Sequence, residues 1–288
     1  MIRFDRFAAL TWGDDAAPPV LLLHGFPDTA HTWDVVGPAI AAAGYRAVAP
    51  FLRGYAPSEL PERDIDARTL GEDVIAMARA LSARPIRVVG HDWGAEAVHA
   101  AVALAPEKFE RIATIAIPHR AAIAPTPKLL WALRHFFAFK LPGAARRFAA
   151  NDFAGIEVLW KRWSPTWRYT DADLATVKAT FARPGVLDAA LGYCRAAKFR
   201  TPAFLRAPVE VPALVIAGAD DPNAPVALFQ RARSQFRAGC EVVAISGGHF
   251  CHRESPEQAT RAILDHFSCD ANVTMLPPGS RTMISRAP

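Results

Sequence analysis

Gly90-His91-Asp92-Trp93-Gly94 is the stretch on which the reading of this chain turns. It follows a short apolar run at residues 86–89 and leads into residues 95–104, which are rich in alanine and carry helical periodicity. A polar residue at so tight a strand-to-helix junction is held with its side chain thrust outward, and the flanking glycines remove side chains that would collide. The helix start behind it favours negative charge. Serine is the usual occupant of such a turn; here it is Asp92. A carboxylate nucleophile attacks an sp³ carbon and leaves an alkyl ester on the enzyme. A glycine-rich turn with Asp merely capping a helix would give the same five residues, so the motif has to be weighed with its surroundings.

Strand and helix alternate on both sides of it. Residues 19–24, 46–50, 86–89 and 112–117 read as buried strands, with helices expected at 34–43, 69–81 and 95–104. In the second of these helices Leu70, Val74, Met77 and Leu81 share a face, with Thr69 as the expected cap. After Pro118 the rhythm changes: residues 119–205 hold no convincing strand, and Trp131, Phe136, Trp160, Trp163 and Trp167 crowd between prolines that cut the segment into short helices. Thr170 and Asp173 form a capping-box pattern opening a helix at 171–181. Strands resume at 213–217 and 241–245, with helices from Val226 and at 256–267. The expectation is an α/β fold: a mainly parallel sheet covered by helices on both faces. The core comprises 1–118 and 206–269, an inserted helical cap comprises 119–205, and 270–288 form a tail.

Parallel sheets carry their chemistry at the carboxyl ends of the strands, and three further loops at those ends hold suitable residues. His24-Gly25-Phe26-Pro27 follows the first buried strand; the backbone amides of Phe26 and Trp93 then form an oxyanion hole. Gly218-Ala219-Asp220-Asp221-Pro222 offers an acid, and Gly247-Gly248-His249-Phe250 offers a histidine. Singly, each is an ordinary solvent-facing turn. Together, and in the order nucleophile, acid, histidine, they give a triad of Asp92, Asp221 and His249. Asp220 competes for the acid and His252 for the base.

Composition narrows the partners. With 288 residues, 51% of them apolar, one large core is affordable, and no apolar block approaches the ~20 residues of a membrane span. The N-terminus lacks the basic-then-apolar architecture of a signal segment. The four cysteines have no paired metal-ligand spacing, so a reduced, cytoplasmic protein without metal or other cofactor is expected. The net charge of +5 is dispersed along the chain, which argues against a nucleic-acid partner; a membrane partner is likewise not expected, and a homodimer is left open.

On His24-Gly25-Phe26-Pro27, Arg53-Gly54-Tyr55, Gly90-His91-Asp92-Trp93-Gly94, Ile117-Pro118-His119 and Gly248-His249-Phe250, the chain resembles the epoxide hydrolase branch of the α/β-hydrolase superfamily, over about residues 18–267. The resemblance implies the α/β-hydrolase fold with a cap above Asp92, Asp221 as the acid, and hydrolysis of a small apolar or aromatic epoxide to a vicinal diol. It also implies two cap tyrosines that assist ring opening, and here the pattern departs. The cap holds only Tyr169 and Tyr193; Tyr193 stands one position early if Arg195 is the anchor, which would put Cys194 in the slot. The first tyrosine site falls near His135. A leucine stripe through Leu187 and Leu191 packing into the cap would turn Tyr193 toward the cavity. A haloalkane or haloacid dehalogenase with the same nucleophile is the alternative, although Ala116-Ile117-Pro118-His119 offers no carboxylate where such enzymes commonly place their acid. A non-catalytic ligand-binding protein on this fold has no need of the triad.

Overall fold

Val20, Leu21, Leu22 and Leu23 have no solvent exposure on either side of their strand, which is possible only where helices cover both faces of a sheet. The computed structural model describes residues 1–123, 126–198 and 200–268, apart from the side chains of Lys128 and Leu129. The tail expected at 270–288 lies outside the described residues. The strands are β1 (Ile2–Phe4), β2 (Phe7–Trp12), β3 (Pro19–Leu23), β4 (Arg46–Pro50), β5 (Ile86–His91), β6 (Phe109–Ile115), β7 (Ala213–Gly218) and β8 (Cys240–Ile245). They form one sheet in the order β1-β2-β4-β3-β5-β6-β7-β8. β3 to β8 pair in parallel, while β1 and β2 pair antiparallel at one edge. That hairpin was not anticipated, because its strands are short and only partly buried.

The helices are α1 (Val36–Ala42), α2 (Ala67–Leu81), α3 (Trp93–Leu104), α4 (Pro127–Ala132), α5 (Arg134–Lys140), α6 (Ala144–Trp163), α7 (Asp171–Phe181), α8 (Val186–Ala196), α9 (Val226–Ala232), α10 (Cys251–Glu254) and α11 (Pro256–Ser268). α6 is interrupted by a left-handed turn at residues 151–153. α2 buries Leu70, Val74 and Met77 as its spacing predicts, but its cap is Asp66, whose side chain accepts from the Thr69 N–H at 2.9 Å; Thr69 lies inside the first turn. At α7 both halves of the Thr170–Asp173 capping box form. The parallel order threads every strand-to-helix loop toward the same end of the sheet. α4 to α8 are inserted between β6 and β7 as a helical cap.

The cap is tied to the core by charge as well as by aromatic packing. Arg253, in α10, reaches Asp28 at 3.0 Å and Asp173 of α7 at 2.5 Å, with its guanidinium over the Trp167 ring. Asp28 is wholly buried, so its charge depends on Arg253 and on the Thr29 N–H. Removing one partner of a buried pair strands the other. Arg253→Met is therefore expected to cost about 3–5 kcal/mol in urea unfolding, and adding Asp28→Asn should recover part of it. Strictly additive losses would show that the two side chains act separately.

Candidate active site

Asp92 sits between the last residue of β5 and the first of α3 with φ 52° and ψ −116°. A non-glycine residue there costs on the order of 1–3 kcal/mol, which the surrounding packing has to sustain. Two glycines make the turn feasible. A Cβ on Gly94 would run into the Leu23 carbonyl, and one on Gly25 would strike the Asp92 carboxylate itself. The loop after β3 can thus lie directly against the side chain it serves.

The Phe26 N–H donates to Asp92 Oδ1 at 2.8 Å. On the other oxygen, Asp92 Oδ2 lies 3.4 Å from His249 Nε2. His249 Nδ1 is 3.3 Å from Asp221 Oδ2, and the wholly buried Asp221 carboxylate accepts the Asn223 N–H at 2.8 Å on its remaining oxygen. Trp93 is the first residue of α3, where amides have no partner within the helix. The structure therefore brings Asp92, His249, Asp221, Phe26 and Trp93 together. It separates both competitors from them: Asp220 accepts from the Gly247 N–H, and the His252 ring is engaged with the Thr32 hydroxyl at 2.7 Å.

Around this group are supports that the sequence did not flag. His91 Nε2 donates to the His249 carbonyl at 2.9 Å, and the His249 N–H donates to the carbonyl of Trp163, the last residue of α6. The Phe250 N–H donates to Ser164 Oγ, and the Trp160 indole to the Pro27 carbonyl at 3.0 Å. His24 accepts the Leu52 N–H on Nε2, so its proton is on Nδ1 and is donated to the Gly25 carbonyl. Burial lowers the His24 pKa to about 4, keeping the ring neutral. His91 and His24 are visible in the sequence only as neighbours of louder residues, and Trp163 is indistinguishable there from the other cap tryptophans.

A cavity of about 490 Å³ opens onto Asp92 and His249. Trp93, Ile117, Leu133, Phe136 and Trp163 give it apolar walls, and Arg120, Lys198 and Arg200 also reach it. Glu96 faces it too, paired with Arg120 at 2.8 Å; its pKa is raised by burial, which the nearby guanidinium opposes. His135 lines the cavity. Its pKa falls to about 3, chiefly through burial and further through Arg162, so the ring is neutral. Tyr193 does not line it, and here the expectation needs correcting. Tyr193 and the Leu187–Leu191 stripe are buried together, and the Tyr193 hydroxyl donates to the Arg53 carbonyl at 2.6 Å. The ring stands edge-on to Trp93 and Tyr55. α8 packs with both stripes inward because the loop at residues 53–55 offers an acceptor beneath it. Tyr169 does not line the cavity either, and donates to Glu157. No tyrosine lines the cavity among the described residues.

Burial alone would lower the His249 pKa, but the carboxylates of Asp221 and Asp92 outweigh it and lift the value to about 9. For Asp92, burial acts upward, and His249, His91 and the Phe26 N–H more than offset it, holding the carboxyl below its ordinary range. At neutral pH the two form an ion pair. Because the His249 pKa rises on folding from 6.5, its stabilising charge is fully present below pH 6.5 and is lost as the pH climbs through about 9. Denaturant melts across that window should weaken more for the native chain than for His249→Gln. Parallel curves would mean that the ring is not coupled to its carboxylates.

Residues 18–256 match the family model described as alpha/beta hydrolase fold. The chain is 29% identical over 301 residues to Epoxide hydrolase A of Mycobacterium tuberculosis, covering 90% of this chain and 93% of that protein. It is 27% identical over 263 residues to the AB hydrolase superfamily protein YfhM of Bacillus subtilis, covering 88% and 91%. The crystal structure of Bacillus megaterium epoxide hydrolase in complex with an inhibitor superposes with a TM-score of 0.79 at 20% identity, covering 91% of this chain and 96% of that one, which shows a shared fold. With the strained turn at Asp92, the parallel sheet and the cap in place, this chain belongs to the α/β-hydrolase fold family.

Proposed function

We propose that this chain hydrolyses epoxides to vicinal diols through an alkyl ester on Asp92. The observation that carries the reading is the carboxylate itself: one oxygen is held by the Phe26 N–H and the other faces His249, at a turn where the chemistry of serine is impossible. Similarity to proteins named epoxide hydrolases selects the electrophile. In this reading the cap of residues 119–205 covers a core made of 1–118 and 206–269, and the apolar cavity walls favour small apolar or aromatic substrates.

Asp92 Oδ2 attacks a ring carbon and the carbon–oxygen bond breaks, leaving an alkoxide. Esterification removes the negative charge of Asp92, and with it part of what holds the proton on His249. That proton is released to the alkoxide, directly or through solvent, and leaves His249 neutral. Steadied by Asp221, His249 then takes a proton from water as the oxygen adds to the ester carbonyl. The amides of Phe26 and Trp93 hold the resulting oxyanion. Collapse frees the diol and restores the ion pair. The hydrogen bond to the opening ring falls to His135. Arg162, which can only donate, lies 3.3 Å from His135 Nδ1 and competes there with the Ala132 carbonyl at 3.2 Å. With Arg162 engaged, the His135 proton is on Nε2 and available to the ring oxygen. The missing tyrosine pair favours one second reading, dehalogenation on the same nucleophile, with the Trp93 indole beside the leaving halide.

A panel of aryl and alkyl epoxides, bromoalkanes and haloacetates, scored for diol and halide, separates the two readings. Diol formation alone supports the first, and halide release alone would replace it with the second. His249→Gln should alkylate but stall, giving an intact mass increased by one substrate molecule; turnover without an adduct would remove His249 from the mechanism.

Single-turnover alkylation tests the ring-opening group. His135→Ala should slow it by roughly 10²-fold, the low end for proton-transfer assistance, and leave ester hydrolysis unchanged. Tyr193→Phe should cost about 1 kcal/mol of stability through the lost Arg53 hydrogen bond while sparing alkylation. The opposite pattern would return the role to Tyr193.

A further inference from the structure

The charges of the cap are unevenly placed. Between residues 111 and 151 there is no Asp or Glu, while Lys128, Arg134, Lys140, Arg146 and Arg147 fall within residues 127–151. The same stretch concentrates exposed apolar surface. Trp131 is 69% exposed, Leu141 58%, Phe137 48% and Leu130 44%; these are four of the eight large apolar side chains most open to solvent among the described residues. Leu130 and Trp131 lie on α4, Arg134 and Phe137 share one side of α5 at a spacing of three, and Leu141 follows in the turn after α5. The opposite side carries Ala132, His135 and Phe136, which line the cavity, and Phe139, which packs edge-on against Phe26. α4 and α5 are therefore apolar inward and, separately, apolar outward, where Arg134 on α5 and Arg146 and Arg147 on the first turn of α6 add positive charge. Leu130 belongs to both surfaces, so the outward face runs up to the rim of the cavity.

An exposed patch of this kind marks a contact surface. A second copy of the chain would oppose like charges across it. An acidic protein would match the bases but would have to be apolar at its centre as well. Aromatic and aliphatic side chains flanked by Arg and Lys suit the headgroup layer of an anionic bilayer, where the rings enter the interface and the bases meet phosphate. Arg134 already lies over the Trp131 ring at 4.5 Å, coupling charge and ring on this face. We propose that the outer face of α4 and α5, with the turn that follows and the first turn of α6, docks on an anionic lipid surface and presents the cavity rim to it. The absence of a spanning helix among the described residues is no obstacle, because a surface contact needs none.

Cosedimentation of the full chain with vesicles of phosphatidylcholine, alone or mixed with phosphatidylglycerol, tests this. Binding is expected only with the anionic mixture and should fall as salt is raised. Trp131→Ser/Phe137→Ser and, independently, Arg146→Gln/Arg147→Gln should each weaken it by about tenfold or more, with circular dichroism confirming that both variants are folded. No binding, equal binding to neutral vesicles, or binding unchanged in the charge variant would overturn the proposal. So would light scattering that shows a dimer dispersed by Trp131→Ser/Phe137→Ser, which would assign the face to a second copy.

Discussion

Asp92 keeps its negative charge at the floor of the cavity because its neighbours share the compensation: the Phe26 amide on one oxygen, His249 on the other, and the start of α3 behind it. Each contributor imposes a demand elsewhere. Phe26 can reach the carboxylate only because Gly25 has no side chain. His249 stays protonated because Asp221, buried against it with its other oxygen satisfied, adds to the pull of Asp92. The positive φ of Asp92 is tolerated because β5 and α3 are both anchored in a sheet-and-helix core without solvent exposure. Much of the strand order can be read as the scaffold that brings four loops to one carboxylate.

The cap answers a different requirement. It roofs the ion pair while leaving a cavity of about 490 Å³, and it does so with rings. Trp163 and Phe136 wall the cavity, while Phe139, Phe148 and Phe181 close around Phe26. Rings of this size cover area with few rotatable bonds, which suits a surface whose shape must persist when empty. Among the polar groups of the cavity wall is the neutral ring of His135, whereas the phenol of Tyr193 is spent on a backbone carbonyl.

How much of this was legible in the sequence follows from what each feature depends on. The parallel strands and the nucleophile turn were readable because each is written in a few contiguous residues: apolar blocks, glycine spacing and an Asp where Ser is usual. The strand-by-strand order of the loops was enough to gather Asp92, Asp221 and His249. The α2 cap was misplaced by three residues because Asp66 and Thr69 are both good capping residues, and only backbone geometry separates them. The orientation of Tyr193 was not readable at all. It depends on a carbonyl at Arg53, 140 residues away, and on a helix whose alanines permit either rotation. The hairpin left little apolar signal because β1 is three residues long and only the first half of β2 is buried.

The His249 amide ends on the Trp163 carbonyl, the Phe250 amide on the Ser164 hydroxyl, and the Trp160 indole on the Pro27 carbonyl. One end of α6 is thus bolted both to the histidine loop and to the loop that carries Phe26. In mechanical terms this end of the roof is a load-bearing beam and cannot act as a hinged door. Lifting it would pull on His249 and on the loop that carries Phe26 in a single movement. At α4 and α5 the roof meets the same loops through rings instead, Phe136 against Trp93 and Phe139 against Phe26, so the two ends of the cap grip the site by different forces.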